Sequence, residues 1–316
     1  MNDPTILFFG YGSEYSLHPL FDFMSKRGDR CVEIDMLTEQ DCVGRLQDLI
    51  GQPLVFVTSA HPLYDQRNFF YYKTERRVVS ALHIIATLRP KLSVFYPHDY
   101  KDPIKEEEVN YLPQFDLLLW PFDEVPVSYR RLVQTVPVGW IKNPLGAEEI
   151  HSVDGKAVFF LGAFQYYLHA GIESFYDDFA EMLGSGVAVK LPRWHDSEKF
   201  EAFLRARDVD VYPSDENSVE IIKSCEIVIT HALSSVGMEA CHLGRKVIYL
   251  RDRRFDYKDP LLEFGAAGNI SYVNSPSAVA TVRAAGLVPN RYSMAEFNFP
   301  AVREHILSEY KKRWER

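Results

Sequence analysis

Short apolar runs recur along the chain, separated by stretches in which apolar positions return every three or four residues. In the first half the runs are TILFFGYG (residues 5–12), CVEIDML (31–37), PLVFVTSA (53–60), LSVFYPHD (92–99) and FDLLLWP (115–121), with helices expected near 15–27, 39–50 and 72–88. Short β-branched strands alternating with helical patterns of about a dozen residues predict βαβ units and a parallel sheet. Ligands of such sheets bind beyond the carboxyl ends of the strands, which marks the loops at 10–15, 59–65 and 96–102 as candidate lining.

The pattern breaks where Pro137, Gly139, Pro144, Gly146 and Gly155 gather among polar residues, as expected of an interdomain crossover. A second α/β series follows: AVFFLGA (157–163), GVAVKLP (186–192), DVDVYP (208–213), EIVIT (226–230), KVIYL (246–250) and NISYV (269–273). The tail from 300 to 316 reads as a helix, with Val302, Ile306 and Tyr310 on one side. The expected organisation is an N-terminal domain over 1–150, a second domain over 151–296, and a C-terminal helix over 297–316.

Residues 218–250 carry the most chemistry, reading as helix, buried strand, polar turn, helix and strand in immediate succession. The turn places Ser234, Ser235 and Gly237 at a helix start, where exposed N–H groups, two hydroxyls and a missing Cβ suit a diphosphate. Glu239, further into that helix, can accept hydrogen bonds from a ribose diol. The same residues also describe an ordinary N-cap and a carboxylate complementing the helix dipole. The first strand leads into GYGSEYS (10–16), which lacks the third glycine of a dinucleotide fingerprint. Arg251, Arg253 and Arg254, mixed with Asp252 and Asp256, read as a solvated loop.

At 316 residues the chain is long enough for two cores, and its net charge of −9 opposes nonspecific nucleic-acid binding, which needs a basic field. The four cysteines have no C-x-x-C spacing, so neither a zinc site nor a disulfide framework is indicated, and no other metal-ligand spacing stands out. No apolar run reaches the roughly 18 residues needed to span a bilayer, and a basic leader is missing from the first residues. A cytoplasmic protein is expected.

The order of elements around Ser234, Ser235, Gly237, Glu239, Ala240, Gly244, Val247 and Ile248 resembles the C-terminal half of the GT-B glycosyltransferases, particularly bacterial capsule, teichoic-acid and lipopolysaccharide enzymes. The chain departs from that pattern in having Arg245-Lys246 where Lys-Pro is usual. It also has His231-Ala232-Leu233 before the serines, where teichoic-acid polymerases have Asp-Tyr-Ser-Ser.

The resemblance implies two Rossmann-like domains facing across a cleft, with the C-terminal helix crossing back to the N-domain. It implies transfer of a sugar from a nucleotide-sugar donor, used as substrate without a further cofactor, to a glycan or lipid-linked acceptor. Polyol-phosphate transfer of the CDP-glycerol type, nucleotide-sugar 2-epimerisation and an inactive nucleotide-sugar-binding subunit are the alternatives. On the donor side it points to Gly162, Lys190, Arg193 and His231 beside the Ser-Ser turn. On the acceptor side a base is needed, and His98 beside Asp99 suits that role best, with Glu14, Asp99 or His61 as alternatives. The basic end of the last helix, Lys311, Lys312, Arg313 and Arg316, offers peripheral contact with the inner membrane face, although cations at a helix C-terminus are also an ordinary structural choice.

Overall fold

The computed structural model describes residues 3–10, 17–35, 41–59, 80–97, 110–122, 125, 127–141, 155–162, 171–192, 197–231, 234–251, 271–287 and 297–315. They form two compact units, Met1–Pro144 with Met294–Arg316, and Leu145–Ser293.

The first unit holds a six-stranded sheet of β1 (Thr5–Gly10), β2 (Arg30–Asp35), β3 (Leu54–Thr58), β4 (Leu92–Phe95), β5 (Leu117–Trp120) and β6 (Gln134–Pro137). Every pairing is parallel, in the order β2-β1-β3-β4-β5-β6. Strands β1, β3, β4 and β5 are buried along their whole length, which is why they read as unbroken apolar runs. Strand β6 was not expected. Its Gln134, Thr135 and Pro137 make no apolar run, and it pairs through its backbone at a sheet edge, where proline is tolerated. Helices α1 (His18–Lys26), α2 (Cys42–Gln47), α3 (Ala81–Leu88) and α4 (Val127–Leu132) lie between these strands in the chain. The carboxylate of Asp41 and the hydroxyl of Ser80 cap α2 and α3 by accepting from the N–H groups of Gly44 and His83.

In the second unit, β7 (Ala157–Phe160), β8 (Val187–Lys190), β9 (Val211–Tyr212), β10 (Ile227–His231), β11 (Lys246–Leu250) and β12 (Ser271–Val273) form another parallel sheet. Its order is β12-β11-β10-β7-β8-β9. The helices are α5 (Ile172–Gly184), α6 (Ser197–Arg205), α7 (Ser218–Ser224), α8 (Ser235–His242) and α9 (Ala278–Ala284). Phe159, Ile229 and Leu250 share a core with Phe175 and Phe179 of α5, Phe200 of α6 and Val279 of α9. Tyr249, one residue out of phase with Leu250, points to the other face, against Gly237 of α8.

The last helix, α10 (Phe299–Trp314), belongs to the first unit and buries Val302, Ile306 and Tyr310. Arg303 grips Asp29 with two bonds of 2.5 and 2.7 Å, and Arg313 lies 2.9 Å from Asp116, which also accepts from the N–H and hydroxyl of Ser93. Lys312 pairs with Glu309. Two of the cations expected to offer membrane contact are thus engaged by carboxylates of their own unit, while Lys311 is exposed and Arg316 lies outside the described residues. Among the described residues no helix is long and apolar enough to cross a membrane.

Just beyond β4, the buried Tyr96 hydroxyl donates to the carbonyl of Gly139 (3.2 Å) and accepts from the N–H of Ile141 (2.8 Å). Its ring meets Phe297 edge-on at 5.7 Å. The segment before the chain leaves this unit and the segment after it returns therefore meet at one side chain.

Candidate functional site

The strand order of the second unit locates its site. Counted from β7 as the first strand, the order is the doubly wound 3-2-1-4-5-6, and the chain reverses direction across the sheet between β7 and β10. That switch point opens a crevice at the carboxyl ends of the two strands because the connections diverge to opposite sides. Gly162 follows β7 and His231 ends β10, so both stand at its mouth. They are neighbours: a Cβ built on Gly162 would lie 3.5 Å from Cδ2 of His231. The His231 side chain is buried, its ring 5.3 Å from Phe159 and 6.5 Å from Phe179.

From His231 the chain turns into α8, where Ser234 is the N-cap in extended conformation, with no side-chain cap bond. Ser234 and Ser235 are half-buried, and the N–H groups of the first helical turn lie beyond the end of β10. Glu239 is only 8% exposed. A carboxylate is rarely buried without a partner, since desolvating a charge is costly. A helix start, two hydroxyls and an imidazole thus stand at one strand end, with a buried carboxylate about one turn further into the helix, an arrangement able to bind an anion.

Two readings of this region are corrected. The missing Cβ of Gly237 does not serve a diphosphate, because a Cβ there would fall 1.9 Å from the Tyr249 hydroxyl. The glycine lets α8 pack onto β11. Lys190, expected among donor phosphates, is 4% exposed, and its ammonium donates to the carbonyls of Leu191 (2.7 Å), Pro213 (2.8 Å) and Ser214 (3.0 Å). An ammonium has three N–H bonds, so here they tie the end of β8 to the loop after β9.

The departures at Arg245 and Lys246 also have structural reasons. Arg245 donates to the carbonyl of Lys223 in the last turn of α7, and Lys246 pairs with Glu226. The Lys246 bond, reinforced by the N–H of Gly155, holds the Glu226 carboxyl below its ordinary range.

Arg193, Glu14, His61, His98 and Asp99 lie outside the described residues. In the first unit the switch point falls between β1 and β3, where the Thr58 hydroxyl donates to the carbonyl of Phe9 at 2.8 Å. The segments 11–16 and 60–79, which continue from those two strands, are likewise outside the described residues. The four cysteines form no disulfide, and burial pushes Cys31 and Cys225 up to about 11, so neither supplies a thiolate at neutral pH. Among the described residues no group of three or more His, Cys, Asp or Glu side chains is placed to hold a metal ion.

No protein-family model and no curated protein matches the chain. Among solved structures it is similar to UDP-GlcNAc 2-epimerase of Methanocaldococcus jannaschii in complex with UDP-GlcNAc and UDP. That likeness has a TM-score of 0.61 and 12% identity, over 96% of this chain and 99% of that one. The spinosyn rhamnosyltransferase SpnG complexed with spinosyn aglycone is similar at a TM-score of 0.51 and 15% identity, over 98% and 96% of the two chains. The wall teichoic acid polymerase TagF is similar at 0.51 and 13%, over 100% of this chain and 84% of its own. At these identities the likeness is one of fold, and the fold is GT-B.

Proposed function

We propose that the chain is a glycosyltransferase that moves a sugar from a nucleotide-sugar donor to a glycan or lipid-linked acceptor in bacterial surface-polysaccharide synthesis. The observation that supports this is the placement of Gly162, His231, Ser234 and Ser235 at the switch point of the second sheet, with Glu239 in the helix that starts there. The start of α8 and the serine hydroxyls hold the donor's diphosphate, Glu239 accepts from the ribose diol, and His231 donates to a phosphate or to the sugar. The acceptor hydroxyl then bonds to the anomeric carbon as the bond from that carbon to the diphosphate oxygen breaks. His98, beside Asp99, takes the hydroxyl proton, with Glu14, Asp99 or His61 as alternatives, and the nucleoside diphosphate leaves against the helix dipole. The reaction takes place in the cytoplasm and the donor is a substrate, with no separate cofactor.

Calorimetric binding of UDP-, CDP-, GDP- and CMP-linked sugars identifies the donor. Glu239→Ala then weakens it by about tenfold to a hundredfold, the scale of hydrogen bonds to a charged group. Unchanged affinity in a folded variant removes the donor assignment. Nucleotide released only when acceptor is present supports transfer, whereas conversion of the sugar without acceptor makes the protein an epimerase. Transfer of a polyol phosphate from CDP-glycerol makes it a polymerase-type enzyme, and binding without turnover a binding subunit.

A further inference from the structure

Strands β4, β5 and β6 enter the first sheet side by side, Val94 pairing with Leu117 and Leu117 with Gln134. The residues just ahead of them are therefore neighbours: Arg89 and Lys91 before β4, and Arg131 and Leu132, at the end of α4, before β6. All four are exposed. The end of α10 arrives at the same place. Arg313 lies 2.9 Å from Asp116, just ahead of β5, and Gln134 bonds Glu309, the partner of Lys312. The ammonium of Lys91 stands 5.6 Å from the ring centroid of Trp314. We propose that this amino side of the first sheet docks on an anionic lipid surface, with Arg89, Lys91, Arg131 and Lys311 against the headgroups and Trp314 and Leu132 in the interfacial layer.

The charge is local. On a chain of net charge −9 this face is positive, because Asp116 and Glu309 are already matched by Arg313 and Lys312. Among the described residues no carboxylate pairs with Arg89, Lys91, Arg131 or Lys311, and the exposed carboxylates nearby are Glu315 and, beside Tyr310, Asp3. A cation close to an anionic bilayer strengthens attachment by about fivefold, so several together give reversible docking.

The apolar part is local too. Trp120 and Trp140 are buried, whereas Trp314 is 41% exposed and Leu132 37%. Single exposed apolar side chains are ordinary, but these two stand among cations. The indole ring lies 5.9 Å from Tyr310, which is buried in the unit, so α10 holds it in place. Tryptophan settles at a membrane–water boundary because its body is apolar and its N–H is polar. An anionic bilayer uses both the charge and the apolar tips; a polyanion in solution uses the charge alone. Ligands of a parallel sheet bind at the carboxyl ends of its strands, the opposite side, so docking here leaves them uncovered. The helix end was visible in sequence, but Lys91 and Arg131 join it only through the folded sheet. The proposal is independent of the nucleotide-sugar reading.

The test is flotation of the full-length protein with vesicles of phosphatidylcholine alone and of phosphatidylcholine mixed with phosphatidylglycerol. Binding is expected to the mixed vesicles only and to fall as salt rises, because ions screen exposed charges. Lys91→Glu with Lys311→Glu should weaken it by more than about twentyfold. Lys199→Glu with Arg207→Glu, the same change of charge on α6, should stay near wild type. Trp314→Ala should weaken binding and keep the salt dependence, and brominated lipid should quench a part of the wild-type fluorescence that Trp314→Phe lacks. Thermal melting reports whether each variant is folded. Wild-type protein that floats with both vesicles alike, or with neither, overturns the proposal. So does an equal loss in the two charge-reversed pairs, which would make the effect one of net charge. Self-association in sedimentation that Lys91→Glu with Lys311→Glu abolishes, without flotation of wild type, would overturn it by giving this face to a second copy of the chain.

Discussion

At the scale of the residue, Gly237 illustrates how one observation can carry two meanings until the neighbour is known. A small residue at a helix start suits a phosphate, but the volume above this one belongs to the Tyr249 hydroxyl, 1.9 Å from where a Cβ would be. Gly237→Ala improves helix propensity by about 1 kcal/mol and forces the tyrosine or the helix to move. Overpacking of this kind costs about 1 to 3 kcal/mol, so the variant is expected to melt at lower temperature. Adding Tyr249→Leu should then cost less than it does in wild type, because it opens the contested space. Additive losses in that double-mutant cycle would show that the clash is absorbed elsewhere.

At the scale of the element, Lys190 joins two strand ends. Lys190→Met keeps an unbranched chain but strips a donor from the carbonyls of Leu191, Pro213 and Ser214, at about 1 to 3 kcal/mol for each one left buried and unpaired. Water will reach some of them, so the expected loss is about 2 to 4 kcal/mol, read from denaturant unfolding, with donor affinity of the folded protein intact. A stable variant that no longer binds donor would return Lys190 to the phosphate. The strands themselves were legible: each expected apolar run contains a strand, and β1, β3, β4, β5, β7, β8 and β10 are buried along their whole length, which leaves a continuous hydrophobic signature. Strand β6 was illegible because an edge strand needs only backbone pairing, and Gln134 and Pro137 carry no apolar signal. The turn at Ser234 was visible in sequence because helix starts have local chemistry. The role of Lys190 was not, because its partner Pro213 comes from another part of the chain and meets it only in the folded sheet.

At the scale of the whole molecule, each unit carries a carboxylate that the fold keeps ionised. Glu226 in the second unit is held below its ordinary range by Lys246 and then by the Gly155 N–H, and Glu309 in the first by Lys312, with Gln134 assisting. The unfolded chain protonates these groups first, at about pH 4.3. Their contribution is therefore complete above that value and is lost as pH falls through the lower native ones. Stability against urea should decline below about pH 4.3. Glu226→Gln and Glu309→Gln should each start lower at pH 6, by up to about 1 kcal/mol for a partly exposed pair, and decline less steeply; parallel curves would mean that neither pair matters.

The first unit is also built from both ends of the chain. Asp29 waits for Arg303, a partner 274 residues later, while the whole of the second unit is made in between. At ordinary translation rates the first sheet must persist for on the order of ten to thirty seconds without its last helix. The surface that Val302, Ile306 and Tyr310 will cover stays open for that time, and it is then that a chaperone has most to protect.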